Sequence, residues 1–203
     1  ADVERVVIVD GVRRVEAHAL DEVRSTSGSP EPLFGLFGSY AVGAVELDRG
    51  ARILSDRVRV ERRYLHTGTG EVADRSLHTS VTHLTFTARS IPRATRANDL
   101  VAALNRAMLD EEARLAEALS EDESVLTLVD GPLRHLRAPG RRVVGYIKRI
   151  QQWYVPHSEI ELLGTLDTGE RTPLFAIPPG NMDGNLAEGR YSWFVRLPTP
   201  GPH

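Results

Sequence analysis

Apolar positions fall into short continuous or alternating runs over roughly the first third of the chain, then into one long helical stripe, then into short runs again. Val3 to Asp10 (VERVVIVD) is a β-branched run ending in Asp-Gly, which predicts a buried strand with a bend at Gly11. Beyond a Ser/Gly/Pro-rich loop at Ser25 to Pro32, Leu36 to Leu47 (LFGSYAVGAVEL) and Ile53 to Leu65 predict two further strands, together an antiparallel three-stranded ribbon. His66 to Gly70 (HTGTG) reads as a turn, and Leu77 to Ile91 fits helix and strand equally well. From Asn98 or Asp99 as N-cap, Leu104, Met108, Leu115 and Leu119 recur at helical intervals, the clearest helix of the chain. Val125 to Asp130 (VLTLVD) repeats the first run's form and its Asp-Gly ending, and suits a central strand covered on both faces. Val143 to Ile150 (VVGYIKRI) predicts another strand, and Pro173 to Ile177 and Tyr191 to Leu197 two terminal ones separated by a Gly/Asn-rich loop.

Three strands, a long helix, a strand, a connection and a further strand is the chain order of an RNase H-like fold. The expectation is an α/β architecture: a mixed sheet with flanking helices, three antiparallel strands first, then helix and parallel strands, in a single domain over residues 1–203. That order puts Asp10 and Asp130 on neighbouring strands.

Composition narrows the chemistry more than the fold. With 41% hydrophobic and 26% charged residues the chain can bury a core, and no apolar run approaches the ~20 residues that span a bilayer. No basic, apolar leader opens it and it has no cysteine, so a cytoplasmic setting is expected. Without thiolates, carboxylates and seven His remain as strong ligands; no HxH or HExxH spacing occurs, which disfavours a zinc hydrolase. Phosphate-cradling glycine motifs and the G-x-S-x-G elbow are absent too. A net charge of -3 argues against indiscriminate nucleic-acid binding. Lys148 is the only lysine among Arg-dominated bases.

An isolated Asp-Gly after a strand is ordinarily a turn. Two of them on neighbouring strands bring carboxylates together that repel unless a divalent cation compensates them, and an all-oxygen site suits Mg²⁺ or Mn²⁺. Phosphodiester hydrolysis by two metals is the fitting reaction, one ion activating water and the other stabilising the leaving oxygen. The helix offers a third ligand in Glu112 or Glu111, which interrupt its apolar stripe; Glu112 lies nearer the stripe's centre and is preferred. Lys148 can hold a phosphate as a point charge, or equally snorkel at a sheet edge. Arg13, Arg14, Arg134, Arg141, Arg142 and Arg149, followed by Gln151, Gln152, Trp153 and Tyr154, could line a strand-binding groove, although each type is more often surface or packing.

VIVDGVRR at Val7 to Arg14, SYAVGAVEL at Ser39 to Leu47, LTLVDGPLRHL at Leu126 to Leu136, VVGYIKR at Val143 to Arg149 and SWFVRL at Ser192 to Leu197 resemble the NurA nuclease family. The resemblance implies an RNase H-like core and a manganese-dependent exonuclease and single-strand endonuclease for DNA. It also implies a homodimer that partners a HerA-type hexameric ATPase in DNA end processing at double-strand breaks. By the same resemblance Asp10 and Asp130 match the two catalytic Asp, Glu112 or Glu111 the helical Glu, and Lys148 the strand lysine. Asp10-Gly11-Val12 stands where the family often has Asp-Gly-Ser. The family's C-terminal segment, with a metal-associated His on a helix, is expected to be lacking, because the residues run out at Pro198 to His203 (PTPGPH). A catalytically impaired scaffold that binds DNA or the ATPase is therefore the competing expectation.

Overall fold

In the computed structural model the described residues are 3–24, 30–70, 72–133, 136, 142–148, 150, 153–177 and 190–198. They divide into two compact units, Ala1–Lys148 and Arg149–His203.

The first unit is built on strands β1 (Arg5–Arg24), β2 (Pro30–Leu47), β3 (Ala51–Ile53), β4 (Arg59–His66), β5 (Arg75–His78), β6 (His83–Ser90), β7 (Val125–Asp130) and β8 (Val143–Tyr146), with helix α1 (Ala97–Leu119) between β6 and β7. The sheet order is β5-β6-β4-β2-β1-β7-β8, with β3 added to β2. β1, β2 and β4 are antiparallel neighbours, whereas β7 lies parallel to β1 and β8 parallel to β7. The chain is therefore α/β with an RNase H-like core of β4-β2-β1-β7-β8, to which the β5–β6 hairpin adds an extension beside β4.

Alternation along the strands assigns the two faces. Val7 and Val9 of β1, Leu36, Tyr40, Val42 and Ala44 of β2, and Val125 and Val129 of β7 pack with Leu100, Leu104, Met108, Leu115 and Ala116 of α1 in the main core. The helix starts where Asp99 accepts hydrogen bonds from the backbone N–H groups of Thr95 (2.9 Å) and Arg96 (3.0 Å). It ends where the Ser120 hydroxyl donates to the Glu117 carbonyl. A second cluster, Phe37, Tyr64 and Phe86, occupies the other face beneath Leu77 and Leu84 of the hairpin, with ring centroids 4.7 Å (Phe37–Tyr64) and 5.2 Å (Phe37–Phe86) apart.

Several boundaries differ from the sequence expectation, each for a local reason. β1 does not bend at Gly11 but runs on to Arg24, because Gly11 continues the ladder opposite Val42; its irregularity falls between Val15 and Ala17. Asp99 is not the N-cap but the third helical residue, reaching back to the preceding backbone. The strand expected over Ile53 to Leu65 is broken by a 3₁₀ turn at Ser55–Arg57, whose Arg57 N–H donates to the Leu54 carbonyl. The segment left open at Leu77 to Ile91 lies in the β5–β6 hairpin.

The second unit holds a short helix α2 (His157–Ile160), a 3₁₀ turn at Glu161–Thr165, and the antiparallel pair β9 (Phe175–Ile177) and β10 (Arg190–Ser192). Phe194 stacks on Phe175 at 5.3 Å and touches Trp153 at 5.8 Å. The Gly/Asn-rich loop expected between the terminal strands lies outside the described residues. Among the described residues no helix is long and apolar enough to cross a membrane.

Leu104 is completely buried between α1 and β2. Leu104→Ala should cost about 3 to 5 kcal/mol through lost burial and the cavity left behind, read as a shift in the urea midpoint at unchanged slope.

Candidate functional site

The two Asp-Gly pairs serve different backbones. Asp10 and Gly11 sit inside β1, paired with Gly43 and Val42 of β2. Asp130 ends β7, and Gly131 turns the chain with φ +84°, a left-handed conformation that glycine adopts without strain. The parallel ladder of β1 and β7 closes at Val9 opposite Val129, so the two aspartates follow at the next position of each strand, on the face opposite those valines.

Glu112 approaches from α1. Gly11 faces the helix, and a β-carbon there would collide with Glu112 Oε1 and come within 3.0 Å of Met108 Cγ. The carboxylate therefore rests on bare backbone that any other residue would deny it. Glu112 is only 7% exposed. Burial, then the charges of Asp10 and Asp130, push its pKa up to about 7, offset in part by a hydrogen bond from the Gly11 N–H. Glu111 is as buried but faces elsewhere, accepting from Arg59 of β4 at 2.6 Å and from Arg114 one helical turn on.

Lys148 lies just past β8, not within it, and its Nζ donates to Asp130 Oδ2 at 3.0 Å. That hydrogen bond and the charge of Asp130, with Asp10 adding to it, raise the Lys148 pKa. A backbone contact sets the reach: Gly131 N–H donates to the Tyr146 carbonyl at 2.9 Å, and a β-carbon on Gly145 would strike the Gly131 carbonyl oxygen. Asp10 accepts from the N–H of Gly11 at 2.9 Å.

Lys148 thus reaches Asp130, and Glu112 lies near enough to Asp10 and Asp130 to feel their charge, whereas Glu111 belongs to a separate ion-pair group. Of the expected groove residues, Arg13 donates to Asn105 Oδ1 at 2.8 Å, Arg14 pairs with Glu16 at 3.1 Å, and Trp153 packs on Phe194 in the second unit. Arg134, Arg141, Arg149, Gln151, Gln152 and His203 lie outside the described residues. Sequence reasoning missed Gly145, whose only signal was a glycine interrupting an otherwise apolar run.

The donor set, three carboxylates with two of them opposing the ionisation of Glu112, fits a hard divalent cation. Among the described residues, however, no three His, Asp or Glu side chains converge on one point. The strand geometry explains this: Asp10 and Asp130 belong to one face of the sheet, Glu112 to the other, and Asp130 is drawn onto Lys148. A cation held by all three would require side-chain rotations at this edge.

The Glu112 proton has a stability consequence. The folded chain keeps it up to about pH 7, whereas the unfolded chain releases it near 4.5, so stability falls as pH rises through that window. In chelator-containing buffer, Glu112→Gln should match the wild type in Tm at pH 4 and exceed it at pH 8. A constant Tm difference across that range would contradict the carboxylate repulsion.

Residues 5–203 match the model of the NurA domain. Over 92 residues the chain is also 34% identical to an N-acetylmuramic acid 6-phosphate etherase of Rubrobacter xylanophilus, a match that takes in 45% of this chain. The chain spans about a quarter (27%) of that relative's length. The partial match says nothing of the carboxylate edge, whereas the domain match covers every strand and α1.

Proposed function

This chain belongs to the NurA nuclease family, and from that premise we propose that it is a Mn²⁺- or Mg²⁺-dependent deoxyribonuclease, cutting DNA ends as an exonuclease and single strands as an endonuclease. The observation that carries the reading is the carboxylate edge itself: Asp10 and Asp130 press on the charge of Glu112, which is held on Gly11. A structural role would be served better by a neutral side chain at position 112, since a buried carboxylate beside like charges destabilises a fold.

Asp10, Glu112 and Asp130 would hold the cation, which when bound would supply the positive charge that activates water and offsets the charge growing on the phosphate. Lys148, paired with Asp130, offers an ammonium to a phosphate oxygen at the same edge. To hold a cation Glu112 would have to be ionised, so cation binding should tighten as pH rises through about 7.

The family setting extends the reading to a homodimer acting in double-strand break processing in the cytoplasm beside a HerA-type hexameric ATPase, which would supply the translocation that a chain without phosphate-loop glycines does not. The alternative is a scaffold that binds DNA or the ATPase without cutting. It draws on the lack of convergence among the three carboxylates.

Degradation of labelled single- and double-stranded DNA with Mn²⁺ tests the two. Asp10→Asn and Asp130→Asn should each lower the rate by ~100-fold or more, and Lys148→Met by ~10-fold with little change in Mn²⁺ affinity. Equal rates in wild type and Asp130→Asn, or no calorimetric Mn²⁺ binding alongside retained DNA binding, would replace the nuclease reading by the scaffold.

A further inference from the structure

The β5–β6 hairpin carries a pair of histidines that the carboxylate edge does not use. His78 and His83 are direct cross-strand partners at the end of the antiparallel ladder, both exposed. Their rings stack with centroids 4.3 Å apart and planes 20° from parallel. The Thr79 N–H donates to the Thr82 carbonyl at 2.9 Å, so by ladder alternation His78 and His83 form a non-hydrogen-bonded pair, the one in which facing side chains approach most closely. The turn beyond them is internally tied: the Thr79 hydroxyl accepts from the N–H groups of Val81 (3.3 Å) and Thr82 (3.0 Å). The hairpin is anchored below by Leu77 and Leu84, which face the opposite way into the Phe37, Tyr64, Phe86 cluster.

From this geometry we propose that His78 and His83 form a second metal site, selective for a borderline divalent cation such as Zn²⁺, Ni²⁺ or Cu²⁺. The chain has no cysteine, so imidazole is the softest strong donor it owns, and such cations prefer it to the carboxylate oxygens that suit Mn²⁺ and Mg²⁺. Two nitrogens on one Zn²⁺ sit about 3 Å apart, a separation that two rings already face to face reach by turning about χ2. The next residues on the same face, Ser76 and Thr85, are uncharged and leave the remaining coordination positions to water. In the sheet β6 is three strands from β1, so this site is separate from the carboxylate edge. An ion there would clasp the edge strand β5 to β6, tying metal binding to the stability of the sheet's exposed margin.

The test is a titration of the full chain with ZnCl₂ alone, in chelator-free buffer, comparing wild type with His78→Asn, His83→Asn and Asp10→Asn. A second imidazole held beside the first binds the same ion as an intramolecular step, so each histidine variant should lose about tenfold or more in Zn²⁺ affinity and lose the Zn²⁺-dependent rise in Tm. Asp10→Asn should retain both. Mn²⁺-dependent DNA degradation should be unchanged in the histidine variants, and their Tm in EDTA should equal that of wild type because both side chains are exposed. Histidine NMR of the unmutated chain gives an independent reading, with the signals of His78 and His83 shifting together as Zn²⁺ is added. Zn²⁺ binding that survives both histidine substitutions, that disappears in Asp10→Asn, or that shifts only other histidines would overturn the proposal.

Discussion

The approach of the Glu112 carboxylate to the bare backbone of Gly11 organises this molecule. A helix can press a carboxylate onto a strand's backbone only where the strand has given up its own side chain, and β1 does so at Gly11, immediately after Asp10. Everything around that point holds the approach in place. Leu100, Leu104, Met108 and Leu115 seat α1 on the sheet, and Arg59 ties Glu111, the neighbouring residue, to β4. The parallel pairing of β1 and β7 then brings Asp130 alongside. The charge collected there is offset in the described residues by one ammonium, that of Lys148, at one oxygen of Asp130.

How much of this was legible beforehand follows from the range of the forces involved. Strand β7 and helix α1 could be read because their burial is periodic and local: VLTLVD alternates buried and half-buried, and the helical leucines recur every turn. The bend expected at Gly11 failed because the Asp-Gly pair carries a turn preference that β2 overrides by pairing straight through it. Asp130-Gly131, with no such partner beyond, does turn. The same two letters therefore gave opposite backbones, and only the neighbouring strand decides between them.

The site residues were legible as types and only partly as geometry. A helical wheel separates Glu112 from Glu111 by a rotation of 100°, enough to prefer one; the structure assigns the other to Arg59 and Arg114, partners far away or simply unremarked in sequence. That Asp10 and Asp130 face away from the helix bearing Glu112 follows from a parity count along two strands and a ladder, which needs the register first. The histidine pair was invisible for the same reason. His78 and His83 are five positions apart, a spacing without meaning until the hairpin folds it into a cross-strand neighbour.

The glycine contact between Gly131 and Gly145 has an evolutionary consequence. It fastens the exit of β7 to the exit of β8 by backbone alone, and so helps to set the distance from Asp130 to Lys148. Replacement of either glycine would shift the lysine with nothing changed in the charged residues themselves. Sequence drift in this protein should therefore be costly at two positions that carry no side chain at all.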